Sequence, residues 1–266
     1  MMTQSHIYHM SQTGQDCLSP AIGVRPNATL RVSCFPDLLP YQIELQGTGD
    51  AGRHALESFI HNTFKQSYGA DIHHFLPRLM SLSNHKDELI AAVGFHPAQN
   101  EPLFLEQYLD RPIEDLLSCQ RGHPVQRGKI MEVGNLAVAT AGGARGLIIA
   151  LTSYIKGAGF DWVVFTAVPS LINSFRKMGL EIIPLVEARK ERLVTGSERW
   201  GSYYDSDPVV VAGNVNQGFA NLEKLLTLEH GLKIMHTLWN QAYAAGCQGR
   251  APNNTYLYDN RPVSPA

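Results

Sequence analysis

One stretch, Glu132 to Gly179, constrains the fold more than any other part of the chain. It runs EVGNLAV, ATAGGARG, LIIALTSYIKGAG, FDWVVFTAV and PSLINSFRKMG. The first block has the β-branched, apolar character of a buried strand, interrupted by Gly134 and Asn135. The second places glycine at 142, 143 and 146 around Ala144 and Arg145, so little side chain shields the backbone amides. The third predicts a helix, with Leu147, Leu151, Tyr154 and Ile155 at spacings of three and four and Gly157 and Gly159 as stop signals. Trp162 to Val168 predicts a second buried strand, and Pro169 opens another helix where proline is tolerated. Strand, glycine loop, helix, parallel strand, helix is a right-handed crossover unit, with its loop at the carboxyl end of the first strand.

A helix amino terminus behind a glycine-rich turn offers unpaired amides and a partial positive charge. A pyrophosphate fits there, and Arg145 could add a charge-assisted contact. Ordinary loops also collect glycines, so a plain connection is the competing reading.

The segments EVGNLAV, FDWVVFTAV, SFRKMGL and RWGSYY, with GFHPA at 94–98 and LFLEQYLDRPIE at 103–114, resemble the thermostable hemolysin family. The resemblance runs from about Tyr41 to Gly213. It implies an α/β fold like that of the GNAT acyltransferases and the acyl-homoserine-lactone synthases. The expected sheet is mixed, flanked by helices and splayed at the Glu132 strand. Residues 1–40 are then a loosely ordered arm, 41–213 the GNAT-like domain, and 214–266 a helical extension with a polar tail. In that likeness Leu136, Ala137 and Val138 pair with the pantetheine arm of an acyl thioester. Gly142, Gly143, Ala144, Arg145 and Gly146 cradle its pyrophosphate. The usual loop carries Arg or Gln, then Gly, then Gly or Ala, where this chain has Ala141, Ala144 and Gly146. The usual tyrosine that protonates the departing thiolate is Phe175 here.

The chemistry implied is N-acyl transfer from acyl-CoA or acyl carrier protein to a small amine, giving a lipid-like product. No cofactor is expected to be tightly bound. The amine loses a proton as it attacks, and Glu132 is the acid on the splayed strand that could take it. The competing reading pairs Glu132 with Arg121 or Lys129. Asn135 either orients the acceptor or caps the strand's bulge. Tyr203 or Tyr204 stands in for the missing acid, unless the thiolate leaves unaided. His96, Thr166 and Trp200 are expected on the substrate side. His96 otherwise sits at a strand end, and Trp200, Tyr203 and Tyr204 either wall an acyl tunnel or fill the core edge. Two other functions remain open: a cytolytic protein acting directly on membranes, and a non-catalytic acyl-thioester-binding module.

Elsewhere the chain narrows the classes. A net charge of −2, with no Lys/Arg run, argues against a nucleic-acid surface. No apolar run approaches the roughly 18 residues of a membrane span. The first twenty residues lack a basic start and an apolar core, so no signal peptide and a cytoplasmic location are expected. Four scattered cysteines (17, 34, 119, 247) read as reduced thiols. His6 and His9 lie in the arm, and His54 and His61 share a helix face seven residues apart; without a third ligand neither pair makes a metal site. Strands are predicted at Tyr41–Leu45, within ADIHHFLPRLMSLSN (70–84) and DELIAAVGFHPA (87–98) as an antiparallel pair joined by a turn at Ser83–Lys86, at EIIPL, and at Val209–Ala212. Helices are predicted over Gly52–Tyr68, over Leu103–Cys119 broken by Pro112, and along a solvated face at Val186–Val194. One or two more are expected within Ala220–Ala245, broken at Gly231, either packing on the domain or mediating homo-oligomer association.

Overall fold

The computed structural model describes residues 30–32, 41–99, 101–140, 142–194, 196–228 and 233–249. The rest of the arm, Gly231, the tail from 250, His6, His9, Cys17, Cys34 and Ala141 lie outside the described residues. In chain order the elements begin with β1 (Leu30–Val32), β2 (Tyr41–Gln46), α1 (Arg53–Tyr68), β3 (Arg78–Asn84) and β4 (Leu89–Pro97). Next come a 3-10 turn at Phe104–Tyr108, α2 (Ile113–Arg121), β5 (Ile130–Val138), α3 (Gly143–Ala158), β6 (Trp162–Ala167) and α4 (Pro169–Lys177). The chain then makes β7 (Ile183–Glu187), β8 (Val209–Asn214), α5 (Val215–Leu228) and α6 (Lys233–Gln248). The eight strands form one mixed sheet in the order β1-β2-β3-β4-β5-β6-β8-β7. Every pairing is antiparallel except β5 with β6, which α3 connects as the glycine-loop pattern predicts.

Period-two alternation assigns the two faces of the sheet. Leu79 and Ala92 meet Leu56, Ile60 and Phe64 of α1, while their neighbours Met80, Leu82, Ala91 and Val93 meet Leu147, Ala150 and Leu151 of α3. Along β5, Ile130 joins the α2 layer with Ile113 and Leu117, and Met131 turns toward α3. Glu132 therefore points to the α1/α2 side, two residues on from Ile130.

Several expectations change. Three residues of the presumed arm pair with β2 as an edge strand. The stretch 70–77 is not strand, because side chains capture its backbone instead. Arg53 donates to the carbonyls of Leu76 and Pro77, Asn135 bonds to residues 74 and 76, and Asp71 N donates to the Arg199 carbonyl. Pro112 separates a 3-10 turn from α2. The charged face at 186–194 is the end of β7 plus one 3-10 turn at Lys190–Arg192, not a helix. Gly157 does not stop α3, which runs on to a left-handed cap at Gly159. It serves instead as a contact point: a Cβ there would lie 2.3 Å from the Tyr243 carbonyl oxygen of α6, and one on Gly246 would lie 2.2 Å from that of Tyr154. The paired glycines let α3 and α6 touch backbone to backbone, so the extension packs on the domain.

Candidate active site

Two strands that start in register and then part create the site. β5 and β6 pair from Ile130–Trp162 to Val133–Phe165 and no further, although β5 continues to Val138 and β6 to Ala167. At the parting, β5 also bulges against β4 between Ala92 and Gly94. Asn135 sits at the bulge with φ +53°, a left-handed value that asparagine tolerates better than most residues. Its Oδ1 accepts from Leu76 N at 2.9 Å and its Nδ2 donates to the His74 carbonyl at 3.0 Å. The amide is thus engaged in holding the 70–77 segment, in keeping with the bulge-capping alternative.

A pocket opens through the gap. Glu132, Val133, Gly134, Asn135 and Leu136 form one wall, and Val163, Phe165 and Thr166 the facing one. Toward α1 it is walled by Phe64, Tyr68, His74, Phe104, Tyr108, Trp200 and Tyr203. Toward α3 it runs on past Leu147, Leu151 and Ile155 to Leu180 and Gly218. The wall is aromatic at one end and aliphatic at the other.

Glu132 is the buried carboxylate of this wall, 3% exposed. Its Oε1 accepts from Leu105 N at 2.8 Å and its Oε2 from Phe104 N at 3.0 Å. Those are the first two amides of the 3-10 turn, donors with no partner inside the turn itself. The turn is fixed in place from behind. Glu106 accepts from Leu103 N and Ile113 N, and Arg127 reaches both Glu106 and Glu114. Neither basic residue named as a partner for Glu132 holds it: Lys129 Nζ bonds the Gly159 carbonyl and Arg121 lies over the Trp162 ring. Burial drives the Glu132 carboxyl up to about 7, with the two backbone hydrogen bonds pulling the other way. A carboxyl titrating there is poised to exchange a proton near neutral pH.

The tyrosines divide. Tyr203 is on the pocket wall, and burial raises its hydroxyl well above the usual range. Tyr204 is not on the wall; its hydroxyl shares a 2.6 Å hydrogen bond with that of Tyr108, which is. Burial raises Tyr108 too, so its proton stays on at neutral pH. Trp200 and Thr166 line the pocket. His96 stands directly across the ladder from Glu132 but off the pocket wall, its imidazole lowered by burial. Ala137, Val138 and residues 142–146 lie farther along, beyond the lining; the expected loop is Gly142, left-handed, followed by the first turn of α3 from Gly143. Tyr108, Phe104 and His74 carry no signal that marks them for a site; Tyr108 reads as part of the apolar face of the helix expected over Leu103–Cys119.

A family model described as thermostable hemolysin matches residues 46–219, more than half of the chain. The chain belongs to the thermostable hemolysin family. No curated protein sequence matches this hemolysin-family chain. Among solved structures it is similar to the acyl-homoserine lactone synthase LasI, at 13% identity over 70% of this chain and 96% of that one, with a TM-score of 0.48. It is similar to FeeM, an N-acyl amino acid synthase from uncultured soil microbes, at 13% identity over 71% and 99%, TM-score 0.47. A GCN5-related N-acetyltransferase from Kribbella flavida aligns at 10% identity over 65% and 96%, TM-score 0.39. Among the described residues no helix is long and apolar enough to cross a membrane.

Proposed function

We propose that this chain transfers an acyl group from an acyl thioester, acyl-CoA or acylated carrier protein, to a small amine. The observation that carries the reading is Glu132, a buried carboxyl raised to about 7, in the wall of an apolar pocket between parting strands. The acyl chain fits the aliphatic end under α3, and the thioester lies beside Gly134–Leu136. There β5 has no partner strand on its β6 side, so its backbone is open to the pantetheine arm. The amine's lone pair attacks the thioester carbon while Glu132 takes the amine proton. Collapse of the tetrahedral adduct breaks the C–S bond and releases the thiolate. In this reading Tyr203 on the wall, or Tyr204 through Tyr108, returns a proton to sulfur. Thr166 and Trp200 contact the substrates in this reading, and Asn135 holds the wall they share.

The test is binding and then turnover. Native mass spectrometry with acyl-CoAs of graded length and an acylated carrier protein is expected to give a saturable complex with at least one donor. Thiol release with a panel of amines is expected to fall about 10²–10⁴-fold in Glu132→Gln while the donor still binds. Binding without turnover by any amine would favour a binding module. No donor binding, together with lysis of erythrocytes by the pure protein, would replace the proposal with direct membrane action.

A further inference from the structure

The sequence pairs His61 with His54 on α1 and offers no third ligand there, and in the fold His61 is partly buried. The fold brings that ligand from the 70–77 segment. His61, Asp71 and His73 present one donor atom each within 4.8 Å of one another, while His54 takes no part. Asp71 Oδ2 lies 3.2 Å from His73 Nε2, and its Oδ1 lies 3.6 Å from His61 Nε2. Ligand atoms about 2.0–2.2 Å from a tetrahedral ion stand roughly 3.3–3.6 Å apart, close to the range of these two contacts, each made by a different oxygen of Asp71. The two imidazoles face each other with centroids 5.3 Å apart.

A second observation concerns the hydrogen on His61. Its Nδ1 lies 2.9 Å from the Ile72 carbonyl oxygen. A carbonyl only accepts, so Nδ1 carries a hydrogen, and Nε2, the nitrogen that faces Asp71, is left as the ring's ligand atom. A backbone carbonyl behind the distal ring nitrogen is the usual support of a metal-bound histidine.

From these we propose that His61, Asp71 and His73 bind a divalent transition ion of the zinc class, with a fourth position open to water. Two imidazoles and one carboxylate suit that class better than calcium or magnesium, which prefer oxygen ligands. The ion would join α1 to the segment whose next residues, His74 and Leu76, line the pocket and bond to Asn135. It is a rivet on the pocket wall, outside the acyl-transfer chemistry.

The test needs no activity, so it stands or falls apart from the acyltransferase reading. Protein without a histidine tag, stripped with chelator and with the exposed thiols Cys119 and Cys247 alkylated, is titrated with zinc by calorimetry and with cobalt by absorbance. The expected result is one saturable equivalent and cobalt d–d bands without thiolate charge transfer. His73→Ala and Asp71→Asn, both at exposed positions, are each expected to weaken binding at least about tenfold. Their metal-free melting temperatures should match that of the stripped wild type, which separates lost ligands from lost fold. Hydrogen exchange at the Leu76 amide should slow on adding zinc to wild type alone. No saturable zinc binding up to millimolar, or equal binding by wild type and both variants, overturns the proposal.

Discussion

Replacing Glu132 with Gln isolates the ionisation on which the proposed chemistry depends. In the folded chain the carboxyl titrates at about 7, against an ordinary value of 4.5. The unfolded chain therefore releases this proton first as pH rises. The site contributes no penalty below about pH 4.5, and its full penalty once pH exceeds 7. At about 1.36 kcal/mol per pH unit the full penalty is about 3 kcal/mol, most of which develops between pH 5 and pH 8. Gln cannot ionise, so it carries none of that slope. It adds a fixed cost instead, because its NH2 group faces one of the Phe104 and Leu105 amides and leaves that donor unpaired, about 1–3 kcal/mol. Urea unfolding of both proteins at pH 5, 6, 7 and 8 separates slope from offset, and the histidines that titrate in the same window are common to both. Wild type should lose roughly 2–3 kcal/mol relative to the variant across that range. A difference that stays constant within about 0.5 kcal/mol would mean that Glu132 ionises alike in both states, and would remove the basis for a base tuned to neutral pH.

Asn135→Ala removes two hydrogen bonds and a residue that tolerates φ +53°, and should lower unfolding free energy by about 2–4 kcal/mol in urea titrations, with Asn135→Gly recovering only the backbone share. Gly157→Ala drives a methyl into the Tyr243 carbonyl and should cost about 1–3 kcal/mol, with α6 losing protection in hydrogen exchange before the sheet does. Tyr204→Phe deletes the bond to Tyr108 and should cost about 1 kcal/mol; thiol-release kinetics should drop severalfold, and a hundredfold loss would make Tyr204 the proton donor itself. Thr166→Leu, at the parting of the strands, should shift donor preference toward shorter acyl chains in competition binding, and an unchanged chain-length profile would put the acyl group elsewhere.

Where local pattern and tertiary demand agree, the sequence is readable. The crossover from Glu132 to Gly179, the helix at Arg53–Tyr68 and the final strand all have spacing that one buried face dictates. Glu132 could be singled out because it is the lone acid in an apolar strand. Its partners could not, since the amides of Phe104 and Leu105 carry no side-chain signature and depend on Arg127 clamping Glu106 and Glu114 from behind. The 70–77 segment failed for a related reason. Its alternation resembles a strand, but Arg53 and Asn135 satisfy its backbone from elsewhere in the chain, which leaves Asp71 and His73 free to face His61.

The glycine loop shows how one motif can have two sufficient causes. A Cβ on Gly143 would lie 3.1 Å from the Ile90 carbonyl oxygen, and one on Gly146 would lie 3.0 Å from Leu82 Cδ2. Both glycines are buried against the sheet, and their packing alone explains why nothing larger stands there. They therefore say little about a pyrophosphate. Gly142 is different: it is exposed, has φ +87°, and a Cβ on it would meet nothing within 4 Å. Its demand is conformational, to turn the chain from β5 into the first turn of α3. Of the three glycines, then, a donor's phosphates would depend on Gly142, while Gly143 and Gly146 would be required by the fold whether or not a ligand ever binds.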